Sequence, residues 1–73
     1  MVKRMSFAIK LEQETDGRWI AEVPDLPGVL AYGATERAAI AAVEALALRV
    51  LADRVELGEA EAPLSISFVP AAA

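Results

Sequence analysis

The side chains able to take part in a reaction here are the carboxylates Glu12, Glu22, Asp25 and Asp53, the phenol of Tyr32, and the hydroxyls of Ser6, Ser65 and Ser67. Carboxylates held together support general acid–base work or a divalent cation, and a serine supports acyl or phosphoryl transfer once a base takes its proton. The 73 residues include no histidine, the commonest general base and metal ligand, and no cysteine, so thiolate metal sites and disulfides are both excluded. Glu12 and Glu22 fall in alternating segments that place both on one solvent face with no third ligand, the arrangement of solvated strand carboxylates. The serines alternate with apolar residues and have nothing to activate them. Gly28 and Gly33 are too isolated to cradle a phosphate. The expectation is a protein that is not an enzyme and uses no metal or cofactor.

Periodicity defines the elements that carry these residues. Met5, Phe7, Ile9 and Leu11 alternate with Arg4, Ser6, Lys10 and Glu12, which predicts a half-buried strand over about 2–14. A second strand is predicted over 19–23, with Trp19, Ala21 and Val23 on the core face and Ile20 and Glu22 on the other. Asp16-Gly17 marks the hairpin between them. A two-residue loop would set Leu11 beside Glu22, whereas a three-residue loop, Asp16-Gly17-Arg18, would set Leu11 beside Val23 and keep the apolar faces together. Burial favours the odd-length loop. Pro24-Asp25-Leu26-Pro27-Gly28 then predicts a tight turn. Each proline holds the residue before it extended, Pro27-Gly28 suits the centre of a type II turn, and Leu26 pins the turn to the helix or core.

A third strand is expected over 29–32 and a helix over about 36–57, with Thr35 as N-cap, Glu36 at the positive end of the dipole and Gly58 at the stop. Its core stripe reads Ile40, Val43, Leu46, Ala47, Val50 and Leu57. Leu48, Leu51 and Val55 lie beside that stripe and widen the apolar arc to roughly 200°, about twice what a surface helix needs. They would either close the edge of a small core or form a second interface. Residues 64–69 alternate again as a fourth strand with Leu64, Ile66 and Phe68 inward, and the final Pro-Ala-Ala-Ala is expected to fray. The order β-β-β-α-β predicts one α+β domain over 1–73. Its three-stranded antiparallel meander is joined by a fourth strand parallel to the first, in sheet order 3-2-1-4, under one helix.

Net charge is −4, which disfavours direct binding of DNA or RNA and suits a basic protein partner. The alternating N-terminus is unlike a signal peptide, and the alanine-leucine run over 38–52 is interrupted by Glu44 and Arg49 and too short to span a bilayer. A cytoplasmic protein without membrane contact is expected.

Asp16-Gly17, the run from Trp19 through Pro24-Asp25-Leu26-Pro27-Gly28, Gly33-Ala34-Thr35 and the helical Glu44-Ala45 together resemble the HicB family of antitoxin-like proteins. The resemblance covers about residues 5–51, and its specificity lies in the turn and Gly-x-Thr occurring at the right distance. It implies a partial RNase H-like sheet with one helix, and a protein that binds and occludes a small basic RNA-cleaving toxin of the HicA type, as a homodimer or higher homo-oligomer. Many such antitoxins add a C-terminal DNA-binding domain, which a chain ending at Ala73 is expected to lack. The family also tends to carry glutamate three residues after the threonine, completing a capping box, where this chain has Ala38. The expected partner-binding residues are Ile20, Glu22, Asp25, Leu48, Leu51 and Val55. Arg4 and Lys10 are read as solvated charges. Two other readings stand beside this one: a regulatory or small-ligand module with a pocket between Ile20, Tyr32 and the helix, and a metal-dependent nuclease remnant using Glu12, Glu22 or Asp25.

Overall fold

Alternation along the first segment produces β1 (Lys3–Gln13), which turns back into β2 (Trp19–Glu22), followed by β3 (Leu30–Gly33), the helix α1 (Glu36–Glu56) and β4 (Leu64–Pro70). The structure, a computed structural model, describes residues 1–71. The sheet order is β3-β2-β1-β4, antiparallel except where β4 runs parallel to β1, so the predicted α+β architecture and strand order hold. The third strand lies one residue later than expected. Pro70 closes β4 and the Ala71 N–H donates to Ile9 O at 2.7 Å, so these two residues are paired rather than frayed. The expected fraying of 72–73 lies outside the described residues.

The hairpin has the expected parity but a different register. Leu11 lies opposite Ala21, not Val23, and Gln13 opposite Trp19. The cause is the loop itself: Glu14 N–H donates to Arg18 O at 2.7 Å and Gly17 N–H donates to Glu14 O at 2.9 Å. The connecting residues are therefore Thr15-Asp16-Gly17, with Gly17 at φ 92°, and not Asp16-Gly17-Arg18. A shift of two residues keeps every side chain on its face, so core burial alone does not distinguish the two registers. The Asp16 carboxylate locks the loop by accepting from the Arg18 backbone N–H at 3.0 Å and from its guanidinium at 2.8 Å.

Pro24-Asp25-Leu26-Pro27-Gly28 forms two consecutive turns that share Leu26. Leu26 N–H donates to Val23 O and Val29 N–H donates to Leu26 O, each at 3.0 Å, and Val23 N–H donates to Val29 O at 3.0 Å to close the pair. Each proline occupies the second position of its turn, where its fixed φ is already correct and no donor is needed. Gly28 takes the positive φ of 83° that a type II turn requires. Val23, Leu26 and Val29 are all buried, so the double turn is a plug in the core rather than a surface link.

The helix starts at Thr35, whose Oγ1 accepts from the Ala38 N–H at 3.1 Å. It stops in a Schellman arrangement, with Gly58 N–H donating to Val55 O at 3.1 Å and Glu59 N–H to Arg54 O at 2.7 Å. Thr35→Ala is expected to cost about 1 kcal/mol, lowering the melting temperature in a thermal scan by about 4–8 °C for a domain of this size.

The face that α1 presents to the sheet keeps Val43 and Ala47 of the predicted stripe and is otherwise rotated away from it. The buried positions are Ala39, Val43, Ala47 and Leu51, spaced by four. Leu57, expected in the core, is 71% exposed, while Ile40, Leu46 and Val50 flank the seam half-buried. Leu51, expected beside the core stripe as a partner-binding residue, is 2% exposed and is a core residue. The physical reason is close approach. The helix packs against β3 and β2, and a Cβ built on Gly33 would stand 2.4 Å from the Ala39 backbone nitrogen. At that separation small side chains face the sheet, and bulk is displaced to the flanks.

The core joins these residues to Phe7, Ile9 and Ala21. Trp19, expected in the core, is half-buried at its margin. Because α1 lies over the β2–β3 half, the inward residues of β4, Leu64, Ile66 and Phe68, are only half-buried, with the Phe68 ring stacked on Phe7 at 5.8 Å. No helix among the described residues is long and apolar enough to cross a membrane.

Candidate functional site

Alternation in β2 and β3 decides what the sheet shows on the side away from the helix. Ala21 and Ala31 are paired and turned toward α1, as are Trp19 and Gly33, so the intervening pairs Ile20–Tyr32 and Glu22–Leu30 must face outward. Across β1, Glu12 stands opposite Ile20 and Lys10 opposite Glu22. The result is an outward face with an apolar centre, Ile20, Tyr32 and Leu30, flanked by Glu12, Glu22 and Lys10. Tyr32 is 46% and Leu30 40% exposed. The Arg18 guanidinium sits 4.8 Å from the centroid of the Tyr32 ring, holding it in place by a cation–π contact. A shallow cleft of about 90 Å³ lies over Lys10, Leu11, Glu12, Ile20 and Glu22.

Of the expected partner-binding residues, this face brings together Ile20 and Glu22. Asp25 is exposed in the double turn, while Leu48 and Val55 are exposed on the helix, which covers the opposite face of the sheet. The six expected residues therefore do not form one surface: two share the outer face, two share the helix flank, Asp25 sits in the turn, and Leu51 is in the core. Leu30 and Tyr32 belong to the outer face and were not expected there as binding residues. The signal was present in β3, where alanine and glycine at 31 and 33 suit a helix-facing position and leave the two large residues for solvent.

The groups considered for catalysis do not converge. Glu12 and Glu22 are exposed and offset along neighbouring strands, and Asp53 lies exposed on α1. Among the described residues no group of three or more acidic, histidine or cysteine side chains is placed to hold a metal ion. Ser6 faces Ser67 across the β1–β4 pair, both exposed. Among the described residues no polar or charged side chain is buried. Asp16 is the acid drawn below its ordinary pKa, first by the Arg18 backbone N–H and then by the Arg18 side chain. A lowered carboxylate contributes stability above its unfolded pKa that is lost as the pH falls through the folded one. Water at this exposed pair keeps the contribution small. Among the described residues Arg18–Asp16 is the one ion pair, and Arg4 and Lys10 are exposed.

Ile20 and Tyr32 point away from α1, so no pocket lies between them and the helix. A cleft of about 250 Å³ opens elsewhere, between the end of α1 and the start of β1 and β4, lined by Lys3, Met5, Leu51, Arg54, Glu61 and Leu64 among others. No protein-family model, curated protein or solved structure matches this chain.

Proposed function

We propose that this protein is a non-enzymatic binding module of the HicB antitoxin kind, which covers a small basic RNA-cleaving protein with the outer face of its sheet. The observation that carries the reading is the outward cluster of half-buried Ile20 with exposed Tyr32 and Leu30, with Glu12 and Glu22 beside it. Interfaces concentrate energy in aromatic and aliphatic anchors of this type, and flanking charge governs partner choice and association rate. The net charge of −4 favours a basic partner, and Asp25 adds an exposed carboxylate on the turn that follows β2. The strand order, the Pro-Asp-Leu-Pro-Gly turn and the threonine-capped helix are those the family resemblance implies, which supports the same reading. A cytoplasmic setting goes with it, and DNA or RNA is not the direct ligand.

The test is co-expression with the small basic proteins encoded next to this chain, followed by titration calorimetry of any pair that co-purifies. Tyr32→Ala and Ile20→Ala are expected to weaken binding by at least about tenfold each, as central anchors do. Binding should weaken as salt rises. Full-strength binding by both variants removes the outer face from consideration, and the absence of any basic partner removes the antitoxin reading. The alternative, a regulatory or small-ligand module, rests on the cleft of about 250 Å³ at the end of α1. That volume falls below the roughly 300–1,000 Å³ of ordinary ligand pockets, so the protein-binding reading is preferred.

A further inference from the structure

We infer that β4 is a self-pairing edge, through which two copies of this chain join antiparallel strands about a two-fold axis into one continuous sheet. β4 is the terminal strand of the sheet, and among the described residues no strand lies on its outer side. Its inner side is fully engaged: Lys3 N–H donates to Pro63 O, and Ala71 N–H donates to Ile9 O. In a parallel ladder, alternate residues direct both backbone groups to the same neighbour. Ser65, Ser67 and Val69 therefore bond to β1, and the N–H and C=O groups of Leu64, Ile66 and Phe68 point outward, unpaired. Proteins ordinarily protect such an edge with charge, proline, bulges or brevity. The opposite edge, β3, is only 4 residues long and is packed under α1. β4 runs for 7 residues, Leu64–Pro70, carries no charged side chain, and has its proline only at the last position.

Three features favour a second copy of this chain over a strand from another protein. A two-fold axis perpendicular to the sheet pairs some residue with its own copy, so even positions always meet even positions. The half-buried Leu64, Ile66 and Phe68 of both protomers then share the helix-side face, next to the part of the sheet that α1 leaves uncovered. Any charge on such a strand would lie near its own copy and repel it, and Leu64–Pro70 has none, although 25% of the chain is charged. Pro70 sets the register. With the axis at Ile66, Leu64 pairs with Phe68 of the other copy, Ile66 pairs with itself, and each pair exchanges both N–H···O bonds. An axis at Ser67 would instead bring in Pro70, which has no N–H to donate. On the outer face, the Ile66-centred register sets Ser65 against Ser67 of the other copy.

The contact runs for about one strand length, roughly 20 Å, which puts it at the small end of specific interfaces with an expected dissociation constant in the micromolar range. The test uses sedimentation of the full chain over roughly 1 µM to 1 mM, with fold checked by circular dichroism. The double variants S65K/S67K and S65E/S67E alter exposed side chains only. Each is expected to dimerise at least about tenfold more weakly than wild type, because two symmetric like-charge pairs face each other. A one-to-one mixture of the two is expected to form a heterodimer. The amides of Leu64, Ile66 and Phe68 should exchange more slowly as wild-type concentration rises. A chain that stays monomeric throughout, or a dimer that both double variants leave unchanged, overturns the proposal. So does a dimer that Tyr32→Ala dissociates while the serine variants do not.

Discussion

Replacing Gly33 with alanine is expected to destabilise the fold by about 1–3 kcal/mol, although one methyl group is all that is added. The new Cβ would stand 2.4 Å from the Ala39 nitrogen, 2.8 Å from the Ala38 carbonyl carbon and 2.9 Å from the Ala38 Cβ. Two of these are backbone atoms in the first turn of α1, and no side-chain rotation relieves them. The start of the helix must lift from β3, which disturbs the Thr35 cap two residues on and loosens Ala39 from the core. At about 4–8 °C per kcal/mol for a domain of this size, the melting temperature should fall by roughly 4–24 °C. Urea unfolding with an unchanged m-value would assign the loss to the native state. Gly28→Ala is the useful contrast, since nothing lies within 4 Å of its added Cβ and its penalty comes from the positive φ of 83° alone. A Gly33→Ala protein as stable as wild type would mean that the helix does not approach β3 this closely.

That contact also explains which parts of the structure were legible beforehand. Side-chain parity is a strong constraint, because a one-residue slip would bury Glu22 and expose Ala21. Faces, strand order and the odd-length hairpin loop therefore followed from alternation. Offsets of two residues leave every face intact, so the pairing of Leu11 with Ala21 depended on where the Thr15-Asp16-Gly17 loop closes, a matter of backbone geometry. The double turn was readable because prolines and a positive-φ glycine restrict the backbone locally. The helix was harder to orient. Val43 and Ala47 were expected to face the sheet and do, but bulk also suggested Ile40, Leu46 and Leu57, whereas the close approach at Gly33 selects Ala39. The outward face was half legible: alternation placed Ile20 and Glu22 there, but Tyr32 and Leu30 join it only once β3 is known to carry its small residues under the helix.

Leu51→Ala is expected to be the most damaging simple truncation on α1, at about 2–5 kcal/mol, whereas Leu48→Asp should cost only about 1 kcal/mol. The two leucines are three residues apart, and one apolar stripe would include both. Leu51 is 2% exposed and packs in the core, so its truncation leaves a void that the surrounding side chains fill only in part. Leu48 is 47% exposed and Val55 36%, so a carboxylate at either position stays in water. Small domains have only a few kcal/mol of net stability, and Leu51→Ala should therefore leave a measurable unfolded fraction near physiological temperature, visible as a lowered urea midpoint. The contrast also separates the two exposed surfaces. Leu48→Asp and Val55→Asp keep the fold, so their effect on a partner reports contact alone. If the outer face of the sheet makes the interface, both variants bind at wild-type strength while Tyr32→Ala does not. If the helix flank makes it, the order reverses, and the role of the Ile20–Tyr32–Leu30 cluster has to be given up.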